Sequence, residues 1–178
     1  MSRMKKIMAL LLTVVLAMAF TACGSKSEPA EEPAEEPAAE ETFGDFDISA
    51  GLTQINNEET GEATIETDYF TVTLPDADQW AYEVDGQTSI TFYHIASRDA
   101  EVGGRLFSVE VFAPDDESYD PMPFEVLGER DGMKFVVTYP SDVQADVENE
   151  ENNAEYQKLF EIAHSVKADD SSSPVVLK

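Results

Sequence analysis

From about residue 65 onward, apolar and polar residues alternate in short runs that break at Pro, Gly and Asp. A period of two places alternate side chains on opposite faces of a strand, so each run reads as a half-buried β-strand. Over 69–74, Phe70, Val72 and Leu74 oppose Thr71 and Thr73, and the run stops at Pro75. The next run, 80–84, puts Trp80, Tyr82 and Val84 together before Asp85-Gly86 turns the chain into 89–95. There Ile90, Phe92 and His94 oppose Thr91 and Tyr93, and over 105–113 Phe107, Val109 and Val111 oppose Ser108 and Glu110. Runs 124–130 and 133–139 meet across Asp131-Gly132, a pair suited to a tight type I′ hairpin. On the last of them Met133, Phe135, Val137 and Tyr139 share a side.

The period then changes. Tyr156, Leu159, Phe160, Ala163 and Val166 recur at helical spacing within 149–167, with Glu148, Glu150 and Glu151 near the start and Lys167 at the end, signs that suit the helix dipole. These elements predict an α+β domain: an antiparallel sheet of about six strands with a C-terminal helix packed on one face. Trp80 and Phe160 are the expected centre of its core. The tail 169–178 is polar until Val175-Val176-Leu177 and reads as a frayed end or late edge contact.

Upstream of residue 65 the texture is different. Residues 43–63 hold scattered apolar positions, Phe43, Phe46, Ile48, Leu52 and Ile55, among Gly, Asn and Glu, and read as a poorly ordered bridge. Before them Pro29-Ala30-Glu31-Glu32 repeats with small changes as far as Glu41. Proline every four residues blocks a regular helix and like charges extend the chain, so 23–64 as a whole is expected to be an acidic, largely disordered tether. The domain proper is then expected over 65–168.

The amino terminus carries Arg3, Lys5 and Lys6, then an uncharged, largely apolar run of 14 residues from Ile7 to Phe20, then Thr21-Ala22-Cys23. That run is shorter than the roughly 20 residues a spanning helix needs and falls within the range of a cleaved signal. The segment resembles a bacterial lipoprotein signal peptide with its lipobox, although Phe20 stands where that pattern usually has an aliphatic residue. The resemblance implies cleavage after residue 22 and acylation of the Cys23 sulfur, with a lipid anchor in the outer face of the cell membrane after general export. Two or more acyl chains suffice for stable residence. The domain itself, through Tyr69-Phe70-Thr71-Val72-Thr73-Leu74-Pro75 with Trp80, Gly103-Gly104-Arg105-Leu106-Phe107-Ser108, Tyr139-Pro140-Ser141-Asp142-Val143-Gln144 and Tyr156-Gln157-Lys158, resembles small, uncharacterised lipoprotein domains of Gram-positive bacteria. More remotely it is similar to PsbP-like domains, antiparallel sheets flanked by helices that serve as accessory proteins at membrane complexes.

Charge narrows the range of partners. The chain has 37 acidic against 11 basic residues, a formal charge of −26, and loss of the signal's three basic residues would make the mature chain three units more negative. Such a field repels nucleic acid and anionic lipid surfaces and favours cationic peptides, amines, divalent cations or basic protein surfaces. Solubility outside the cell explains the same composition. Cys23 is the single cysteine, so once acylated it leaves no thiol for disulfides or catalysis.

Nucleophile-elbow, zincin and phosphate-loop patterns are absent from the sequence, and no cofactor is implied. His94 shares the phase of Ile90 and Phe92 and reads as a core or sheet-edge histidine; His164 falls on the polar helix face with Gln157 and Glu161. Acidic loops at 115–120 and 142–148 could supply oxygens to a weakly held divalent cation or remain simply solvated; neither has the spacing of an EF-hand loop. The loop 97–105 holds two of the few basic residues, Arg98 and Arg105, beside Gly103-Gly104, where a backbone can approach closely. With Tyr93 these are the candidate binding residues, offering guanidinium groups to a carboxylate or phosphate; ion pairs with Asp99 and Glu101 are the structural alternative. The function expected is a noncatalytic accessory or binding module with a protein or small-molecule partner. An extracytoplasmic hydrolase using scattered carboxylates and a passive cell-envelope structural protein are the alternatives.

Replacing the acylation site tests the anchor. Cys23→Ser should move the protein from the membrane fraction to the soluble fraction or leave it as an unprocessed, unlipidated precursor. Fractionation with intact-mass measurement reads both, and a fully membrane-bound, lipid-bearing Cys23→Ser protein would remove the anchor.

Overall fold

Most of the apolar residues picked out by alternation become inaccessible, while Val84 is 40% exposed and Tyr82 and Met133 are partly buried. In the computed structural model, which describes residues 43–178, Phe70, Val72, Leu74, Ile90, Phe92, Phe107, Val109, Phe135 and Val137 are all fully buried. They lie on β3 (Phe70–Leu74), β5 (Ser89–His94), β6 (Arg105–Phe112) and β8 (Met133–Thr138). The other strands are β1 (Thr53–Asn57), β2 (Glu62–Glu66), β4 (Trp80–Asp85), β7 (Phe124–Arg130) and β9 (Val175–Leu177). Two helices complete the order, α1 (Ile95–Asp99) between β5 and β6 and α2 (Glu150–Ala163) before β9. The expected signal peptide over 1–22, Cys23 and the tether as far as residue 42 lie outside the described residues.

The class is α+β, but the strands form two antiparallel sheets. One has four strands in the order β1-β2-β3-β9 and the other five in the order β4-β5-β6-β8-β7, where a single sheet of about six was expected. The extra strands come from both flanks. Residues 43–64, expected within the tether, contain β1 and most of β2, and Ile48 has 0% exposure with its N–H donated to the Gln87 carbonyl at 2.9 Å. The tail 169–178, expected to be frayed, supplies β9, which pairs with β3 through Phe70–Leu177 and Val72–Val175. Alternation could not announce β1 or β9, although β2 alternates with Ala63 and Ile65 buried. Every residue of β1 is exposed, and it is held by backbone pairing with β2 alone.

One continuous core joins both sheets and α2. On the inner face of the five-stranded sheet, Phe92 and Phe107 stack with centroids 4.6 Å apart, and Trp80 and Tyr82 flank Phe92. Tyr69 and Phe46 reach Phe135 from the four-stranded side, at 5.6 and 6.1 Å. Helix α2 contributes Tyr156, Leu159 and Ala163. Its Asn149 cap accepts the N–H groups of Glu151 and Asn152, satisfying donors that would otherwise lack partners. The helix ends at Ala163, short of Lys167, so its last turn has no basic residue. Phe160 sits only partly buried at the margin of the core, while Trp80 is inside it. Two tyrosines tie the helix down: Tyr156 Oη donates to the Arg105 carbonyl at 2.8 Å and Tyr139 Oη to the Ala163 carbonyl at 3.1 Å. At the β7–β8 hairpin both Asp131 and Gly132 have positive φ, as a type I′ turn requires.

Since 43–64 is part of this core, a chain beginning at residue 65 should lose the cooperative melt that a chain beginning at residue 43 retains. Ile48→Ala in the full chain should cost about 2–5 kcal/mol, as expected for a truncation that leaves a cavity. Thermal and denaturant unfolding followed by circular dichroism reads both; equal stability of the two lengths would separate 43–64 from the fold.

Candidate binding rim

β5 ends in a histidine that caps the helix following it. His94 has an extended backbone, and its Nδ1 accepts the Ser97 N–H at 3.3 Å and lies 2.9 Å from Ser97 Oγ. Acceptance at Nδ1 assigns the imidazole proton to Nε2. Ser97 Oγ in turn accepts the N–H of Asp146 at 3.3 Å, so a buried hydroxyl joins α1 to the segment 140–149. Asp146 Oδ2 accepts from the Asn152 side chain at 3.2 Å, extending the chain of hydrogen bonds into α2. Both His94 and Ser97 have 0% exposure.

Gly103 and Gly104 complete the connection, and their role differs from the one expected. Both have positive φ. A Cβ on Gly104 would lie 2.7 Å from the His94 carbonyl oxygen and 2.8 Å from the Arg98 nitrogen, closer than side-chain carbons approach. On Gly103 it would collide with the Gln144 side chain. The space that glycine provides is therefore filled by the chain itself. Gly104 also accepts the His94 N–H at 2.8 Å and donates its own N–H to the Gln144 carbonyl at 2.9 Å.

Arg98 and Arg105 engage different partners. The Arg98 guanidinium forms an ion pair with Glu83 and lies over the Tyr93 ring, 4.5 Å from its centroid. Arg105 stands opposite Tyr93 across the β5–β6 pair. Its Nη2 donates to Thr138 Oγ1 at 2.7 Å, Thr138 donates to Glu110, and Glu110 lies 3.9 Å from the guanidinium. Thr91 and Ser108 share a hydrogen bond of 2.7 Å between these pairs. Tyr93, Arg98 and Arg105 are thus on one polar surface of the five-stranded sheet, but Asp99 and Glu101 are not the ion-pair partners. Glu83 and Glu110 occupy the positions an incoming carboxylate or phosphate would take.

A groove of mixed polar and apolar lining lies beyond the two glycines. It has a volume of about 560 Å³ and runs between the end of α1 and the start of α2, lined by Ala100, Val102, Ala145, Asp146, Val147, Glu148 and Asn149. Ala145 is buried and anchors the segment, while Val143 and Val147 on either side are 71% and 64% exposed. In sequence the acids of 142–148 dominate, and the apolar residues at 143, 145 and 147 stand out only against them. Their period-two spacing outside any strand was the available signal. Among the described residues, no three His, Cys, Asp or Glu side chains are close enough to share a metal ion.

Ser97, His94 and Glu155 have the composition of an acyl-transfer triad but not its access. His94 Nε2 is 3.7 Å from Glu155 Oε2 and makes no hydrogen bond, and Ser97 Oγ is sealed from solvent. The group works as a clasp between α1, α2 and 140–149. Comparison with protein-family models, curated proteins and solved structures finds no match for this chain.

Burial lowers the pKa of His94 from its ordinary value, opposed by the Glu155 carboxylate. The unfolded chain therefore binds a proton at higher pH than the folded chain. The clasp's contribution is complete above the unfolded value of about 6.5 and is lost as pH falls toward the folded value. The melting temperature should accordingly drop between pH 7.5 and pH 5.5, and the drop should be smaller in His94→Asn, whose amide oxygen can still cap Ser97. Parallel pH profiles for the two proteins would contradict this role for His94.

Proposed function

We propose that the protein is a noncatalytic binding module, lipid-anchored through Cys23 to the outer face of the cell membrane, that engages a partner through the rim between α1 and α2. The groove beside Val102 and Val147 carries this reading. Among the described residues only six large apolar side chains are exposed; two of them, Val102 and Val147, line this groove, and a third, Val143, stands on the same 140–149 segment. Exposed apolar surface gathered at one place and edged by polar groups is a usual mark of an interaction site. The segments bearing it are tied to the core by the Ser97–Asp146 and Gly104–Gln144 hydrogen bonds, so the surface is formed before a partner arrives. An acidic, proline-interrupted tether would hold the rim away from the membrane.

A photoreactive side chain at position 147 in intact cells should give a discrete crosslinked species. The same group at Ile55, an exposed apolar residue on the far edge of the other sheet, should not. Equal yields from both positions, or none from 147, would rule against the rim.

A further inference from the structure

We infer that the groove takes a polypeptide segment in which basic and apolar side chains alternate or adjoin; this deepens the binding reading above and rests on it. Two properties of the groove select this chemistry. Its lining includes Ala100, Val102, Ala145 and Val147, which ask for apolar side chains. The charged residues that line it, Asp146 and Glu148, are both acidic, and the segments that carry it, 99–104 and 142–151, hold five further acidic residues, Asp99, Glu101, Asp142, Glu150 and Glu151, and no lysine or arginine. The two cations that flank the first segment are both engaged, Arg98 with Glu83 and the Tyr93 ring and Arg105 with Thr138 and Glu110.

Charge decides among occupants. A second copy of the chain would set the same acidic border against this one at a formal charge of −26 on each molecule. The chain's own Pro/Ala/Glu repeat carries the same sign and is repelled for the same reason. A small amine satisfies the border without covering the valines, and an uncharged apolar ligand covers the valines while leaving the field unanswered. A basic, apolar segment of a partner protein meets both demands, with lysine or arginine stems lying along the apolar part of the lining and their charged ends at Asp146 and Glu148.

The test uses the full chain in nonionic detergent and a blocked pentapeptide of alternating lysine and leucine, titrated by calorimetry and by amide chemical shifts. Saturable binding is expected, with shifts concentrated at 100–104 and 143–149. An all-lysine pentapeptide should bind about tenfold or more weakly, and so should the peptide to a Val102→Ser/Val147→Ser chain, since a tenfold change reflects a modest loss of apolar burial. Raising the salt to molar strength should weaken the lysine–leucine peptide as well. Equal affinity for the all-lysine peptide with shifts scattered over the acidic surface would overturn the inference, as would the absence of saturation at millimolar peptide. Crosslinking from position 147 separates the two levels: a discrete crosslink without peptide binding defeats the ligand class alone, and loss of both defeats the rim.

Discussion

The inner face of the five-stranded sheet is too wide for one helix to cover, and the arrangement of the rest of the chain follows from that. Five strands spaced about 4.8 Å apart present an apolar surface roughly 20 Å across. A helix with its side chains is about 10 Å in diameter. Helix α2 therefore covers part of that face through Tyr156, Leu159 and Ala163, and a second layer must cover the remainder. The four-stranded sheet does this with Ile65, Phe70, Val72 and Val175, joined to α2 and the larger sheet in one core. Residues 43–64 and 174–178 are ordered because they complete this cover.

The same constraint explains which parts of the fold were legible in the sequence. Strands with one face against the core must alternate, and β3, β5, β6 and β8 were readable within a residue or so of their ends. β1 has no buried residue and β9 has three residues, so neither carries enough pattern to register. The boundary between tether and domain was misplaced for this reason: Ile48 and Ile65 are both at 0% exposure, but only Ile65 stands in an alternating run. Helix α1 has five residues and is defined by a histidine cap and a glycine reversal. Its hydrogen bonds join positions up to 49 apart in sequence, and no local spacing reports them.

At the candidate site, residue type was a better guide to location than to role. Arg98, Gly103, Gly104, Arg105 and Tyr93 do lie where β5, α1 and β6 meet. The glycines serve internal packing, and the arginines answer carboxylates on β4 and β6. What they frame is the adjacent groove, whose valines were hidden in a loop read for its acids. A strongly acidic chain makes acidic clusters common, so an acidic run does not by itself locate a site; the acids select a ligand only where exposed valines mark the surface.

The binding reading requires that the rim be held in one conformation by its buried hydrogen bonds before any partner is present. Native-state amide exchange measures this directly. The N–H groups of Ser97, Gly104 and Asp146, which bond to His94, Gln144 and Ser97, should be protected to a degree approaching the strands of the core, while Val143 and Val147 exchange rapidly. Exchange of all five amides at the rate of an unstructured loop would contradict it, because the groove would then have no fixed shape to recognise anything.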